Sequence, residues 1–326
     1  MSKRINILLF LIISLLIVLT VAVQSSFQHW SAQWDLDFWY IYNASLMSSG
    51  IQQEWYDHPA TTILSLYSIF YKIYSLFDYS FIYKINEIKD ASDPNLVLQK
   101  LYFVTRIFDS INMILIVFFT FKISKILSSK DLYAYFLTLT LIVSGHFLNN
   151  LSLLNAEDWT ACFFLISFYF FLNFYIKNNV NFLILSGLFF LFAFFTKINI
   201  LFLFFFTILL IPLFYEMYQP KNNSLIQKSL KKNFKLFFSS YLLILLFYFI
   251  IQIFVLSKLD PFVKNAWLDA FIVITINFIY MGFFLTISKF NLEKFRTYFS
   301  IFILFFSGFF LGLIIFLLID VLNIAK

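Results

Sequence analysis

Two aspartates, Asp35 and Asp37, flank Leu36 and open an aromatic run, Phe38-Trp39-Tyr40-Ile41-Tyr42-Asn43-Ala44. Gly50, Glu54 and the triplet Asp57-His58-Pro59 follow. A carboxylate pair of this kind can accept a proton from an attacking hydroxyl or help to hold a divalent cation. It can equally cap the helix that Phe38 to Met47 would form, by accepting from free backbone N–H groups. The spacing leaves both readings open. Pro59 suits the first turn of a helix, so Asp57 and His58 would stand at a helix N-terminus, where anions such as phosphate are favoured. A plain turn is the other reading of that triplet. Asn155-Ala156-Glu157-Asp158-Trp159 places two more acids between apolar runs. Arg106 and Asp109 are spaced i, i+3 on a helix and are expected to pair, or Arg106 to bind a lipid phosphate. Lys197 stands alone among phenylalanines, placed to snorkel to headgroups or to neutralise a phosphate.

The elements that must position these groups are membrane helices. Of 326 residues, 62% are hydrophobic and 12% are charged, against about 25% charged in a soluble domain. Apolar runs of about 20 residues recur, the length that crosses a hydrocarbon layer of roughly 30 Å. The alternating segments of an outer-membrane barrel do not appear. The fold class expected is all-α: a polytopic transmembrane bundle of about nine spans, one integral membrane domain over residues 1–326. The 50 phenylalanines fit an A/T-rich genome better than a functional use. Cys162 is the one cysteine, so neither a disulfide nor a cysteine metal site can form, and it is expected to pack inside a helix. The net charge of +6 is no nucleic-acid signal, because the lysines sit in short loops.

Lys3 and Arg4 precede the apolar stretch Ile5 to Val23, which is longer than a signal-peptide core and lacks a clear cleavage site. It is expected to be an uncleaved first helix with a cytoplasmic N-terminus. Further spans are expected near 104–121, 131–154, 159–176, 181–196, 198–215, 236–257, 267–288 and 297–320. Alternation then puts 14 of the 23 Lys and Arg residues in cytoplasmic segments, as the positive-inside rule requires. Residues 60–77 are apolar enough to span, but a span there would invert every later helix against that rule. They are expected to lie at the interface, with Tyr67, Phe70, Tyr71 and Tyr74 as interfacial rings. Residues 24–103 are then expected to form a large exterior loop with juxtamembrane helices in it, and Asn86 to Pro94 to be a polar surface loop.

Taken in order, these motifs resemble the GT-C superfamily of membrane glycosyltransferases, which includes protein O-mannosyltransferases and aminoarabinose transferases. The likeness rests on Asp37 through Ala44, Gly50 and Asp57-His58-Pro59 in a first exterior loop, and on Arg106 opening the following helix. It also rests on Glu157-Asp158 and on Gly187-Leu188 through Thr196-Lys197. It covers roughly residues 1 to 215. The acidic pair departs from the usual tandem, so Asp35 or Asp37 is the match, with Asp37 favoured. Many members carry a C-terminal soluble domain, whereas this chain stops at Lys326.

The resemblance implies an enzyme that inverts a sugar while moving it from a polyprenyl-phosphate donor to a hydroxyl on a glycan, lipid or protein acceptor. Asp37, with Asp35 as its alternate, would be the base, and Arg106, His58 or Lys197 would meet the phosphate charge. A divalent cation held by Asp35, Asp37 and Glu157 or Asp158 is left open. No cofactor is otherwise expected. The rival reading is a lipid-linked glycan flippase or other transporter. Transporters use midplane charges and broken helices, whereas these acids concentrate in loops on one side. A catalytically inactive relative is the third reading.

Overall fold

The computed structural model describes residues 3–32, 37–51, 53–54, 60–128, 130–151, 153–177, 179–197, 201–217 and 279–324, with short pieces between 234 and 246 and residue 275. Among the described residues every regular element is a helix. In chain order these are α1 (Lys3–Phe27), α2 (Trp39–Ser48), α3 (Thr61–Ser75), α4 (Ile85–Lys89), α5 (Pro94–Leu127), α6 (Asp131–Ile142) and α7 (Gly145–Asn150). They continue with α8 (Ala156–Lys177), α9 (Asn181–Thr196), α10 (Leu201–Met217) and α11 (Leu292–Ile324). Among the described residues, four helical stretches are long and apolar enough to cross a bilayer: Leu8–Phe27, Pro94–Leu127, Ala156–Lys177 and Leu292–Ile315. They mark a membrane-embedded chain. The spans expected near 236–257 and 267–288 fall almost wholly outside the described residues.

Two helix boundaries differ from the hydropathy reading, and a local cap explains each. Helix α5 begins at Pro94, ten residues before the apolar window. Asp93 accepts from the Leu96 N–H at 3.1 Å, and Pro94 fills the first helical turn, where its missing N–H costs nothing. Its 34 residues reach about 51 Å, more than a bilayer core needs. The run expected as one helix over 131–154 is two. Ser144 takes an extended conformation and accepts from the Phe147 N–H at 3.2 Å, capping α7 anew.

Two compact units make up the chain. The first comprises Met1–Leu172, Leu188–Phe202 and Leu311–Lys326. In it α1 and α5 run antiparallel, with Phe10 against Phe118 at one end. At the other end Gln99 accepts from the Trp30 N–H and donates to the Gln28 carbonyl, both at 2.9 Å. Helix α3 has 15 residues, about 22 Å, short of a hydrocarbon core. Tyr67 and Tyr71 are not interfacial rings: both are fully buried. Each spends its hydroxyl on α5, Tyr67 on Asp109 at 2.8 Å and Tyr71 on Thr105 at 2.6 Å. A buried phenol needs such a partner. Cys162 is a buried free thiol.

The second unit comprises Asn173–Gly187 and Leu203–Phe310. Within it Lys294 and Tyr298 both donate to Glu216, each at 2.8 Å, tying the end of α10 to the start of α11. The helix segments carrying Gly187 and Gly308 touch backbone to backbone. A β-carbon at Gly187 would run into the Phe305 carbonyl, and one at Gly308 into the backbone of Ile184. Small residues permit that approach. Replacing Gly308 with Val must push the two segments apart, at about 1–3 kcal/mol by the usual cost of overpacking. Gly282 has nothing within 4 Å of a built β-carbon, so Gly282→Ala is expected to be neutral or slightly stabilising. Melting of the two variants in detergent checks the contrast. Equal melting temperatures would contradict it.

Candidate active site

Helix α5 positions the site, because one of its faces carries polar groups that each neighbouring element must satisfy. Asp37 lies just ahead of α2 and is fully buried, and Arg106 of α5 is 1% exposed. Arg106 Nη1 donates to Asp37 Oδ2 at 3.3 Å, and Nη2 donates to the Leu151 carbonyl at 3.2 Å. The Arg106 guanidinium also lies 5.6 Å from the centre of the Tyr102 ring. The Leu154 N–H donates to Asp37 Oδ1 at 2.6 Å. Tyr102, one turn before Arg106, lies near the same carboxylate and donates its hydroxyl to Gln28 Oε1 at 2.9 Å. Asp37 therefore joins the α1–α2 segment, α5 and the α7–α8 loop.

Arg106 does not pair with Asp109. The i, i+3 spacing is right, but Asp109 Oδ1 is taken by the Tyr67 hydroxyl at 2.8 Å and the Trp159 Nε1–H at 2.5 Å. Burial selects these partners: donors from α3 and α8 reach Asp109 inside the packed interior, while the guanidinium turns to the carboxylate of the first loop.

Asp158 lies beside this cluster, in the first turn of α8, and is 7% exposed. Its Oδ1 accepts from Asn150 Nδ2 at 2.8 Å, and that amide also lies 3.2 Å from His146 Nε2. Asp158 Oδ2 and Arg106 Nε are buried with no hydrogen-bond partner, a costly state for charged groups unless something else meets them. Tyr40 is the hub: its hydroxyl accepts from the Ala156 N–H at 3.2 Å, and Asp37, Asp109 and Asp158 all act on it electrostatically. Burial pushes the Tyr40 phenol up to about 12, so it stays protonated at neutral pH. Glu157 turns outward and forms an ion pair with Lys197, which is itself only a quarter exposed.

Of the residues singled out in the sequence, Asp37, Arg106 and Asp158 come together in the buried interior, and Glu157 with Lys197 forms a more exposed pair next to them. Asp35, Asp57 and His58 lie outside the described residues. Glu54 accepts from the Tyr42 hydroxyl of α2 at 3.0 Å, an exposed contact. Tyr40, Tyr67, Tyr102, Asn150 and Trp159 were not foreseen. Only their polar tips within apolar stretches could have flagged them. Among the described residues no three His, Cys, Asp or Glu side chains gather closely enough to hold a metal ion. No protein-family model, curated protein or solved structure matches the chain.

Burial raises Asp37 from an ordinary 3.8 to about 6, and the nearby Arg106 cation only partly offsets this. The folded chain thus keeps a proton on Asp37 that the unfolded chain loses near pH 4. Stability contributed by this group is full below about pH 4, falls as pH rises towards about 6, and is level above. Asp37→Asn should flatten that slope, as read by melting temperature across pH 4 to 7. Tyr67→Phe removes one of two donors from buried Asp109 and should cost about 1.5–3 kcal/mol. Tyr71→Phe, which breaks a neutral pair, should cost about 0.5–1.5 kcal/mol.

Proposed function

We propose that this chain is a GT-C-type glycosyltransferase of the cytoplasmic membrane. In this reading it is a multi-pass protein of about nine spans, with its reaction centre on the exterior face. It takes a sugar from a polyprenyl-phosphate carrier and delivers it, with inversion, to a hydroxyl on a cell-envelope glycan, lipid or protein. The observation that carries the reading is the meeting of Asp37, from the first loop, with Arg106 and the Leu154–Asp158 segment. Acids far apart in sequence share one buried polar centre, with an exposed Lys197–Glu157 pair at its edge.

Each residue then has a task. Asp37 accepts the proton of the attacking hydroxyl. A carboxylate that titrates near pH 6 is ionised at neutral pH yet basic enough to help, a contribution of about 10² to 10⁴ in rate. Arg106, fixed by Leu151 and stacked on Tyr102, holds Asp37 ionised and oriented. Lys197 exchanges Glu157 for the donor phosphate and meets the charge that builds on it as the bond to the sugar breaks. Asp158 and Tyr40 orient the acceptor. Asp35, Asp57 and His58 are assigned to the same centre by the sequence motif. The divalent cation left open by the sequence does not fit the described carboxylates as they stand, because Asp37 is paired with Arg106 and Glu157 with Lys197, and no step is routed through a metal.

One observation favours a second reading. Both Asp37 oxygens already accept hydrogen bonds, which suits a relative that binds the lipid-linked sugar without turning it over. Transfer from labelled polyprenyl-phosphate sugar in reconstituted vesicles separates the two. The first reading expects turnover with an acidic limb near pH 6 and a loss of about 10² to 10⁴ in Asp37→Asn, with Asp35→Ala compared alongside. Donor binding without transfer in the wild type would support the second. Unchanged transfer in both aspartate variants would remove the base assignment.

A further inference from the structure

A cavity of about 870 Å³ lies between α1, α5 and α6, with Phe10, Phe118, Phe121, Tyr135 and Leu139 among its walls. Its size suits a drug-sized or lipid-chain ligand. It does not touch the carboxylate centre. Lys122 and Lys125 stand at one end of it, and Arg106 is 16 residues earlier on the same helix, about 24 Å away along the axis. That separation approaches the thickness of a hydrocarbon core. An anionic headgroup at the lysines therefore belongs to the other border of the bilayer from the proposed reaction.

The walls and the mouth differ sharply in chemistry. The α6 wall keeps Phe136 65% and Leu139 58% exposed, an apolar stripe on an apolar helix. The mouth is cationic. Lys122 is held 5.2 Å over the Phe118 ring and has no acidic partner among the described residues, and Lys125 pairs with Asp131 at 2.9 Å. Two lysines and one aspartate line this end of an otherwise apolar groove, which leaves it one positive charge in surplus. Basic pockets between membrane helices attract anionic lipid headgroups by this arrangement.

We propose that this groove is a binding site for an anionic glycerophospholipid. Its acyl chains lie along α1 and α6, and its phosphate sits at Lys122 and Lys125. The site is separate from any donor or acceptor site and stands whether or not the chain is a transferase. Asp131 opposes the bound phosphate and so limits the affinity.

The test uses the purified full chain in detergent, with native mass spectrometry and helix content by circular dichroism. Phosphatidylglycerol and phosphatidylcholine are offered in equal amounts. Phosphatidylglycerol should be retained preferentially, one per chain. Lys122→Gln with Lys125→Gln should weaken that retention about fivefold per lysine, while Lys→Arg at both positions preserves it. Leu139→Trp should block the groove to both lipids. Asp131→Asn should tighten phosphatidylglycerol binding. Equal retention of the two lipids would overturn the proposal, as would retention indifferent to the lysine changes in folded variants. Displacement of phosphatidylglycerol by an equimolar prenyl phosphate would reassign the groove to the carrier lipid and overturn it as well.

Discussion

Everything distinctive about the first unit hangs on one ion pair sealed from solvent. Asp37 and Arg106 are 69 residues apart in sequence and almost wholly buried. Taking two charges out of water costs several kcal/mol each, and their attraction repays that only when the remaining donors and acceptors are also met. Here the Leu154 N–H serves the carboxylate and the Leu151 carbonyl serves the guanidinium, while Arg106 Nε is left without a hydrogen-bond partner. A segment before α2, a membrane helix and the loop before α8 are thereby drawn to one point. Removing one partner would leave the other as an uncompensated buried charge.

The same logic runs along α5. Gln99, Tyr102, Thr105, Arg106 and Asp109 recur at helical spacing, and each is answered from outside α5. Gln28, just after α1, meets Gln99 and Tyr102, Tyr71 and Tyr67 of α3 meet Thr105 and Asp109, and Trp159 of α8 completes Asp109. Where little water reaches, polar groups cannot be left unmet. A polar stripe on one helix therefore dictates which neighbours pack against it and in what register. Apolar contact such as Phe70 stacked on Phe108, 4.2 Å between centroids, fills the space between these fixed points but does not choose them.

Much of the helical architecture was legible in composition and in runs of apolar residues, because helices are the natural way for a bilayer-embedded chain to satisfy its own backbone. The starts of α5 and α7 escape a hydropathy reading for a local reason. Asp93-Pro94 and Ser144-Gly145 are capping signals, and a hydropathy window averages them away. The site was legible only as residue types. Asp37, Arg106 and Asp158 stood out as charges beside apolar segments, but their mutual contact depends on long-range packing with no local signature. The Arg106–Asp109 pairing failed because i, i+3 spacing describes an isolated helix, whereas Tyr67 and Trp159 outcompete it in the packed one. Tyr67 and Tyr71 looked interfacial because a phenol suits a membrane border and a hydrogen-bonded interior alike.

The buried centre stands or falls with the coupling between Asp37 and Arg106. A double-mutant cycle on unfolding in detergent, comparing wild type, Asp37→Asn, Arg106→Gln and the double variant, measures it directly. The structure predicts a loss of about 3–5 kcal/mol for Arg106→Gln alone. Much of that loss should return when Asp37 is also neutralised, for a coupling of at least about 2 kcal/mol. Two additive losses, with no coupling beyond about 0.5 kcal/mol, would mean that the two charges do not meet and that the buried centre built around them is absent.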